Sequence, residues 1–166
     1  RMLRAAARQN LASLFALLAL FLPGSGQALM EMSAEEFALL PEVCRYKKYV
    51  SSKHPDPPRS EKWEAYFGKD FEPIHHYCWA LVHLARSYRV GRTAMQRQWD
   101  LINANNDLDF VLQNSSRQLP IRAEIFTRRI EIRIQQRDER GAEDAFRDAV
   151  AADPAYWKSY VVWGYY

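Results

Sequence analysis

The sequence predicts an all-α fold built of antiparallel helical hairpins stacked side by side. Three observations predict it. Pro120 recurs 34 residues later as Pro154, Phe126 recurs as Tyr160, and Ile130 is answered by Gly164. A period of that length, with small and aromatic residues at fixed offsets, marks stacked helical hairpins. Elsewhere apolar residues recur at spacings of three and four, the signature of a helix with one buried stripe. No segment sustains period-two alternation, so no sheet is expected.

The chain opens on a leader. Arg1, Arg4 and Arg8 precede an apolar run from Leu11 to Leu22, followed by Pro23-Gly24-Ser25 and the small-residue site Gly26-Gln27-Ala28. This is the layout of a secretory signal peptide over residues 1–28, cleaved after Ala28. The run is too short to span a bilayer comfortably. The alternative is a leader that stays uncleaved and tethers the protein to the membrane. No cysteine follows the run, which argues against a lipoprotein anchor. Removing the three leader arginines from the 23 Lys and Arg leaves 20, against 20 Asp and Glu. A body with no net charge argues against nucleic-acid binding and against a polybasic membrane surface.

After the leader, residues 29–72 read as a helical cap with a proline-rich connector. Ser33 and Glu36 have the spacing of a capping box at the start of a helix. Pro41 either breaks this stretch or opens a second helix, Glu42–Val50, as a first-turn proline. His54-Pro55-Asp56-Pro57-Pro58 is a stiff, non-helical connector. Ser60 caps a short helix through Phe67, which Gly68 ends.

Residues 73–119 read as a long hairpin. Pro73 starts its first helix, and Ile74, Tyr77, Cys78, Leu81, Leu84, Ala85 and Tyr88 form one apolar stripe. Gly91 closes it. Thr93 through about Leu112 is the partner helix, with Met95, Trp99, Ile102 and Leu112 at an approximate helical period. Gln113–Leu119 is polar and turn-like.

In residues 120–166, Pro120 opens a helix over Ile121–Gln136 with Ile121, Ile125, Phe126, Ile130 and Ile134 apolar. A second covers about Gly141–Ala152 and packs through Ala142, Phe146, Ala149 and Val150. Asp153 caps a third, with Pro154 in its first turn and the helix running from Ala155 onward. The chain starts at Arg1 before Met2 and stops inside this helix, so it reads as a fragment with further repeats to follow.

Residues 120–166 resemble the tetratricopeptide repeat. Phe126, Ala142-x₃-Phe146, Ala149 and Pro154 match one unit, and Tyr160-x₂-Trp163-Gly164 matches the start of the next. The resemblance implies a right-handed superhelix, an α-solenoid, in which Ala142 and Gly164 let helices approach while Phe126, Phe146 and Tyr160 fill the space between hairpins. Arg129, Ile130 and Arg133 depart from the pattern, which has Leu, Gly and a large aromatic at those positions. Residues 74–112 match loosely, as a longer hairpin. Leu40-Pro-Glu-Val-Cys44 with His75-His-Tyr-Cys-Trp79 is similar to exported bacterial proteins that carry such repeats, which implies a periplasmic location.

Cys44 and Cys78 are the only cysteines. In an exported protein an even number favours a disulfide, and both lie on apolar stripes. Bridged, they would add about 3–4 kcal/mol by the chain-entropy model. Two buried thiols, or a metal or redox role, are the alternatives. A metal site would use His75, His76 and Cys78, with His54 or His83 added. On a helix, however, the first three residues point apart. No haem-attachment, redox, phosphate-loop, dinucleotide or serine-nucleophile motif is present. Glu36, Glu64, Glu72 and Glu124 are scattered carboxylates without a catalytic pairing. Asn114-Ser-Ser116 is a minimal glycosylation triplet and carries little information.

Arg122, Arg129, Arg133, Arg137 and Arg140 fall at spacings of seven, four, four and three, an arginine stripe along one helix face. Arg128 belongs to the same basic run but lies off the stripe. The stripe either clamps a partner's carboxylate or is a solvated face paired with Glu131, Asp138, Glu139 and Glu143. Together with Tyr160 it is the candidate partner-binding surface. The expected function is an exported protein–protein interaction module, a scaffold or assembly factor at the cell envelope, with no cofactor and no catalysis. The alternatives are a metal- or ligand-binding helical domain at His75, His76 and Cys78, and the non-catalytic part of an envelope enzyme.

Overall fold

A computed structural model of the chain describes residues 31–47, 50 and 59–166. The predicted leader, His54 and the proline-rich connector lie outside them. All regular structure among the described residues is helical. Seven α-helices are described: α1 Ala34–Leu39, α2 Glu61–Phe67, α3 Ile74–Ser87, α4 Ala94–Asn114, α5 Arg122–Gln135, α6 Glu139–Ala152 and α7 Trp157–Gly164. Short 3₁₀ turns occupy Glu42–Tyr46 and Gly68–Phe71.

The caps explain where the helices begin. Ser33 and Glu36 form the expected capping box on α1. Pro41 breaks the stretch, and only a 3₁₀ turn follows where a second helix to Val50 was an alternative. Ser60 caps α2, and Gly68 ends it at φ 55, a left-handed conformation that costs glycine least. Thr93 and Gln96 form a second capping box on α4. Asp138 caps α6 by accepting from Gly141 N, two residues earlier in the chain than the predicted start. A Cβ at Gly141 would lie 2.3 Å from Asp138 Oδ2, so this cap needs glycine there. α7 begins at Trp157 rather than Ala155, because Asp153 spends its side chain on Ala155 N in the turn before it.

α3 and α4 form an antiparallel hairpin: His76, early in α3, meets Asp107, late in α4, and His83 meets Trp99 and Asp100. α5 and α6 form the second hairpin. α3 and α5 run parallel and are tied at both ends. Tyr77 Oη donates to Glu124 at 2.8 Å near their starts, and Ser87 Oγ to Gln135 at 3.1 Å near their ends. α7 packs on both helices of the second hairpin, with a buried hydrogen bond between the Thr127 and Ser159 hydroxyls and the Trp163 ring stacked on Phe146.

The main core joins the N-terminal cap, α3, α4 and one side of α5, and Cys44, Ile74, Cys78, Leu108, Ile125 and Ile132 are fully enclosed in it. A smaller core sets Ile130 of α5 against Ala142 and Ala145 of α6. The branched side chain of Ile130 is accommodated beside the two alanine methyl groups, with Phe146 of the same facing helix packed against the cluster. Gly164 makes no close approach, since no described atom lies within 4 Å of where its Cβ would be.

One predicted helix face is corrected. On α4, Met95, Trp99 and Ile102 are exposed or half-exposed, while Asp100, Leu101, Ala104, Leu108 and Val111 are buried. The helix is rotated so that small and aliphatic residues meet α3. Asp100 can enter because Arg92, in the preceding turn, folds back on its carboxylate.

Candidate functional site

Cys44 and Cys78 form a disulfide, with their Cα atoms 5.8 Å apart. It joins the 3₁₀ turn after α1 to α3, inside the main core. The bond removes Cys78 from the metal reading, because a disulfide sulfur is no thiolate ligand. The two neighbouring imidazoles are engaged with the protein as well. His75 Nδ1 is 2.9 Å from Glu72 O, and His76 Nδ1 is 2.7 Å from Asp107 Oδ1. No metal-binding group of three or more His, Cys, Asp or Glu occurs among the described residues.

Each of the scattered carboxylates has a partner within the fold. Glu36 of α1 is buried and accepts from Arg86 of α3 at 2.6 and 2.8 Å, with Arg89 at 2.9 Å. Burial alone would raise its pKa. The Arg86 and Ser33 hydrogen bonds and the two arginine charges outweigh burial and hold it at about 2. Glu64 pairs with Arg59, Glu72 with Lys47, and Glu124 with Tyr77 and Arg128.

The arginine stripe is dispersed rather than presented. Arg129 reaches α4 and pairs with Asp109 at 3.2 Å. Arg133 pairs with Asp138 at 3.2 Å, holding the turn into α6. Arg122 lies over the Phe126 ring, 5.4 Å from its centroid. Arg137 ends α5 at φ 60 and is exposed, as is Arg140. α5 touches α4, α6 and α7, so no residue of the helix is fully exposed and no open arginine face exists on it. Tyr160 is 45% exposed; its ring packs edge-to-face with Phe146 and its hydroxyl donates to Pro154 O at 3.1 Å, while Phe126, Ala142 and Ala149 are buried.

A groove does exist on a different face. One part, about 570 Å³, lies between α1, α3 and α5. Leu39, Leu40, Leu81, Leu84, Ala85 and Tyr88 line it on the apolar side, with Glu36, Arg89, Arg128 and Glu131 as its charged members. A smaller depression, about 160 Å³, continues over α5 to α7 and is lined by Tyr156, Trp157, Lys158, Val161 and Val162. The two share Arg128 and Glu131. Four positions of the apolar stripe on α3, Leu81, Leu84, Ala85 and Tyr88, thus line the groove, and Tyr88 is 57% exposed. Leu39 stands 85% exposed at the groove's α1 end.

Arg128, the arginine off the stripe, is therefore the one at the groove's centre. Its Nη atoms reach Glu131 at 3.0 Å and Glu124 at 3.4 Å, and its buried Nε has no hydrogen-bond partner among the described residues. The signal that could have found the groove was the length of the α3 stripe, which runs on past what the core needs. No helix among the described residues is long and apolar enough to cross a membrane. No protein-family model matches the chain, and no curated protein or solved structure matches it either.

Proposed function

We propose that this chain is a tetratricopeptide-type binding module of an α-solenoid, exported to the bacterial envelope, that holds a protein or peptide non-covalently. The observation that carries the reading is the groove. It is open and mostly apolar, two depressions that adjoin at Arg128 and Glu131, one walled by α1, α3 and α5 and the other by α5 and α7, and rimmed by aromatic and charged side chains, the composition expected of a recognition surface. The parallel setting of α3 and α5 supports it, since stacked hairpins align their first helices along one face. The Cys44–Cys78 disulfide supports an oxidising compartment and hence export. The carboxylates are spent on structural pairs, which favours binding over catalysis.

A photo-crosslinking amino acid placed at Ala85 in the groove, or at Met95 on the outer face of α4, tests this in the intact envelope. The reading expects a discrete adduct from Ala85 that Leu81→Glu abolishes, and none from Met95. Equal adducts from both positions, or none from Ala85, would contradict it. The neutral double variant Arg129→Gln, Arg133→Gln is expected to leave the adduct unchanged, because neither arginine lines the groove.

A further inference from the structure

The apolar wall of the groove has a helical period. Leu81, Ala85 and Tyr88 step along α3 by four and then three residues, so they stand in one row, a turn apart. The row covers about 10 Å of helix axis. Ala85 is exposed and is the small member between two large ones, which leaves a notch in the row. α5 runs parallel beside it and contributes Arg128 and Glu131. A notched row beside a parallel helix is a surface onto which a further helix packs, ridge into groove.

The backbone argues the same way. All regular structure among the described residues is helical, and helices satisfy their own backbone hydrogen bonds. The groove therefore offers side chains and no strand edge. An extended segment laid against its apolar wall would lose water from its N–H and C=O groups and gain no partner for them. A helix arrives with those groups already paired.

The charges that line the two depressions are three cations, Arg89, Arg128 and Lys158, and two carboxylates, Glu36 and Glu131. Both carboxylates are ion-paired, Glu36 with Arg86 and Arg89, and Glu131 with Arg128. Glu124, which lines neither depression, takes a second nitrogen of Arg128. Lys158 is exposed and pairs with no carboxylate among the described residues, with its ammonium 6.0 Å from the Tyr156 ring centroid. The unmatched lining charge is positive, and its complement is a carboxylate.

We propose that the groove takes an amphipathic α-helix of a partner protein, with its apolar stripe on Leu81, Ala85 and Tyr88 and an acidic side chain at the border of that stripe meeting Lys158. This rests on the groove reading above and adds the conformation and the charge of the ligand. The stripe needs apolar residues at i, i+3, i+4 and i+7, the spacing that matches the row on α3.

The test uses the purified chain and mixed libraries of amphipathic peptides, with Leu, Ile, Met and Phe varied at i, i+3, i+4 and i+7 and the border positions fixed as Glu, Gln or Lys. A further library repeats the Glu set with proline at its centre. Binding is read by fluorescence anisotropy, and helicity by circular dichroism of the mixture less its parts. The Glu library is expected to gain helix on binding and to bind about fivefold tighter than the Lys library, the scale of exposed charge pairs. Proline is expected to weaken binding about a hundredfold, the penalty for breaking the helix. Lys158→Glu, an exposed change, is expected to reverse the order of the Glu and Lys libraries. Equal binding of the proline library, or binding without added helix, overturns the helical ligand. No preference among borders, or preference for Lys, overturns the acidic border. Either result leaves the groove standing. No binding of any library overturns the groove reading and the proposal with it.

Discussion

Glu36 and Arg86 are fifty residues apart in sequence and meet as a buried, two-point ion pair between α1 and α3. The pair joins the N-terminal cap to the first hairpin and holds Leu39 and Leu40 at the groove's edge. The folded pKa of Glu36, about 2, lies below its ordinary 4.5. Its contribution is therefore complete above pH 4.5 and is lost as pH falls from there toward 2. Urea unfolding across that window is expected to show the loss. Glu36→Gln, which removes the carboxylate that accepts both Arg86 hydrogen bonds, is expected to cost about 3 kcal/mol at neutral pH. An unchanged midpoint in the variant would contradict the pairing.

The disulfide gives a second expectation. Cys44 and Cys78 are both fully buried, and the bond closes a separation of 34 residues. Replacing both with alanine is expected to lower stability by about 3–4 kcal/mol. Mass measurement without reductant checks the bond itself, as a loss of two hydrogens relative to the reduced chain.

His83 makes an opposite-end test of α3. It is 4% exposed, between Trp79 on its own helix and Trp99 and Asp100 on α4, with Nδ1 3.8 Å from Asp100 Oδ1. Burial lowers its pKa, with Arg86 assisting, against the pull of Asp107 and Asp100. A lowered histidine binds protons more readily unfolded than folded, so stability is expected to fall as pH drops below 6.5. His83→Gln is expected to flatten that part of the pH profile while leaving the Glu36 loss at lower pH in place.

Arg137 occupies the left-handed position that closes α5. Its N–H donates to Ile134 O and that of Asp138 to Arg133 O, the hydrogen bonds of a helix-ending loop in which glycine is preferred. Arg137→Gly is expected to stabilise the protein by about 1 kcal/mol, by removing the cost of a side chain at φ 60. Thermal unfolding measures it, and a lowered melting temperature would show that the guanidinium makes a contact worth more than the strain.

Much of the fold was legible because its signals are local. Ser33 with Glu36, Ser60 with Gly68, and the starts at Pro73 and Pro120 are short-range chemistry, and each appears in the structure near its predicted place, whereas Pro154 lies in the turn before α7. The buried face of α4 was not legible. Met95, Trp99 and Ile102 look like a core stripe. The decision was made by Arg92 neutralising Asp100 and by Ala104 letting α3 close, both of which need the hairpin to exist first. The site was less legible still. Arg129 and Arg133 keep a helical period, but their partners, Asp109 and Asp138, lie on other elements. Arg128 broke the period and reached the groove, whose walls come from four helices that no single window of sequence contains.

The measurement that bears most directly on the central claim is a backbone amide NMR titration with a mixed library of apolar peptides. The account predicts shifts confined to Leu81, Ala85, Tyr88, Glu131, Trp157 and Val161, with Met95 and Ile102 unmoved. Shifts centred on the outer face of α4, or on Arg129 and Arg133 without the groove, would contradict it.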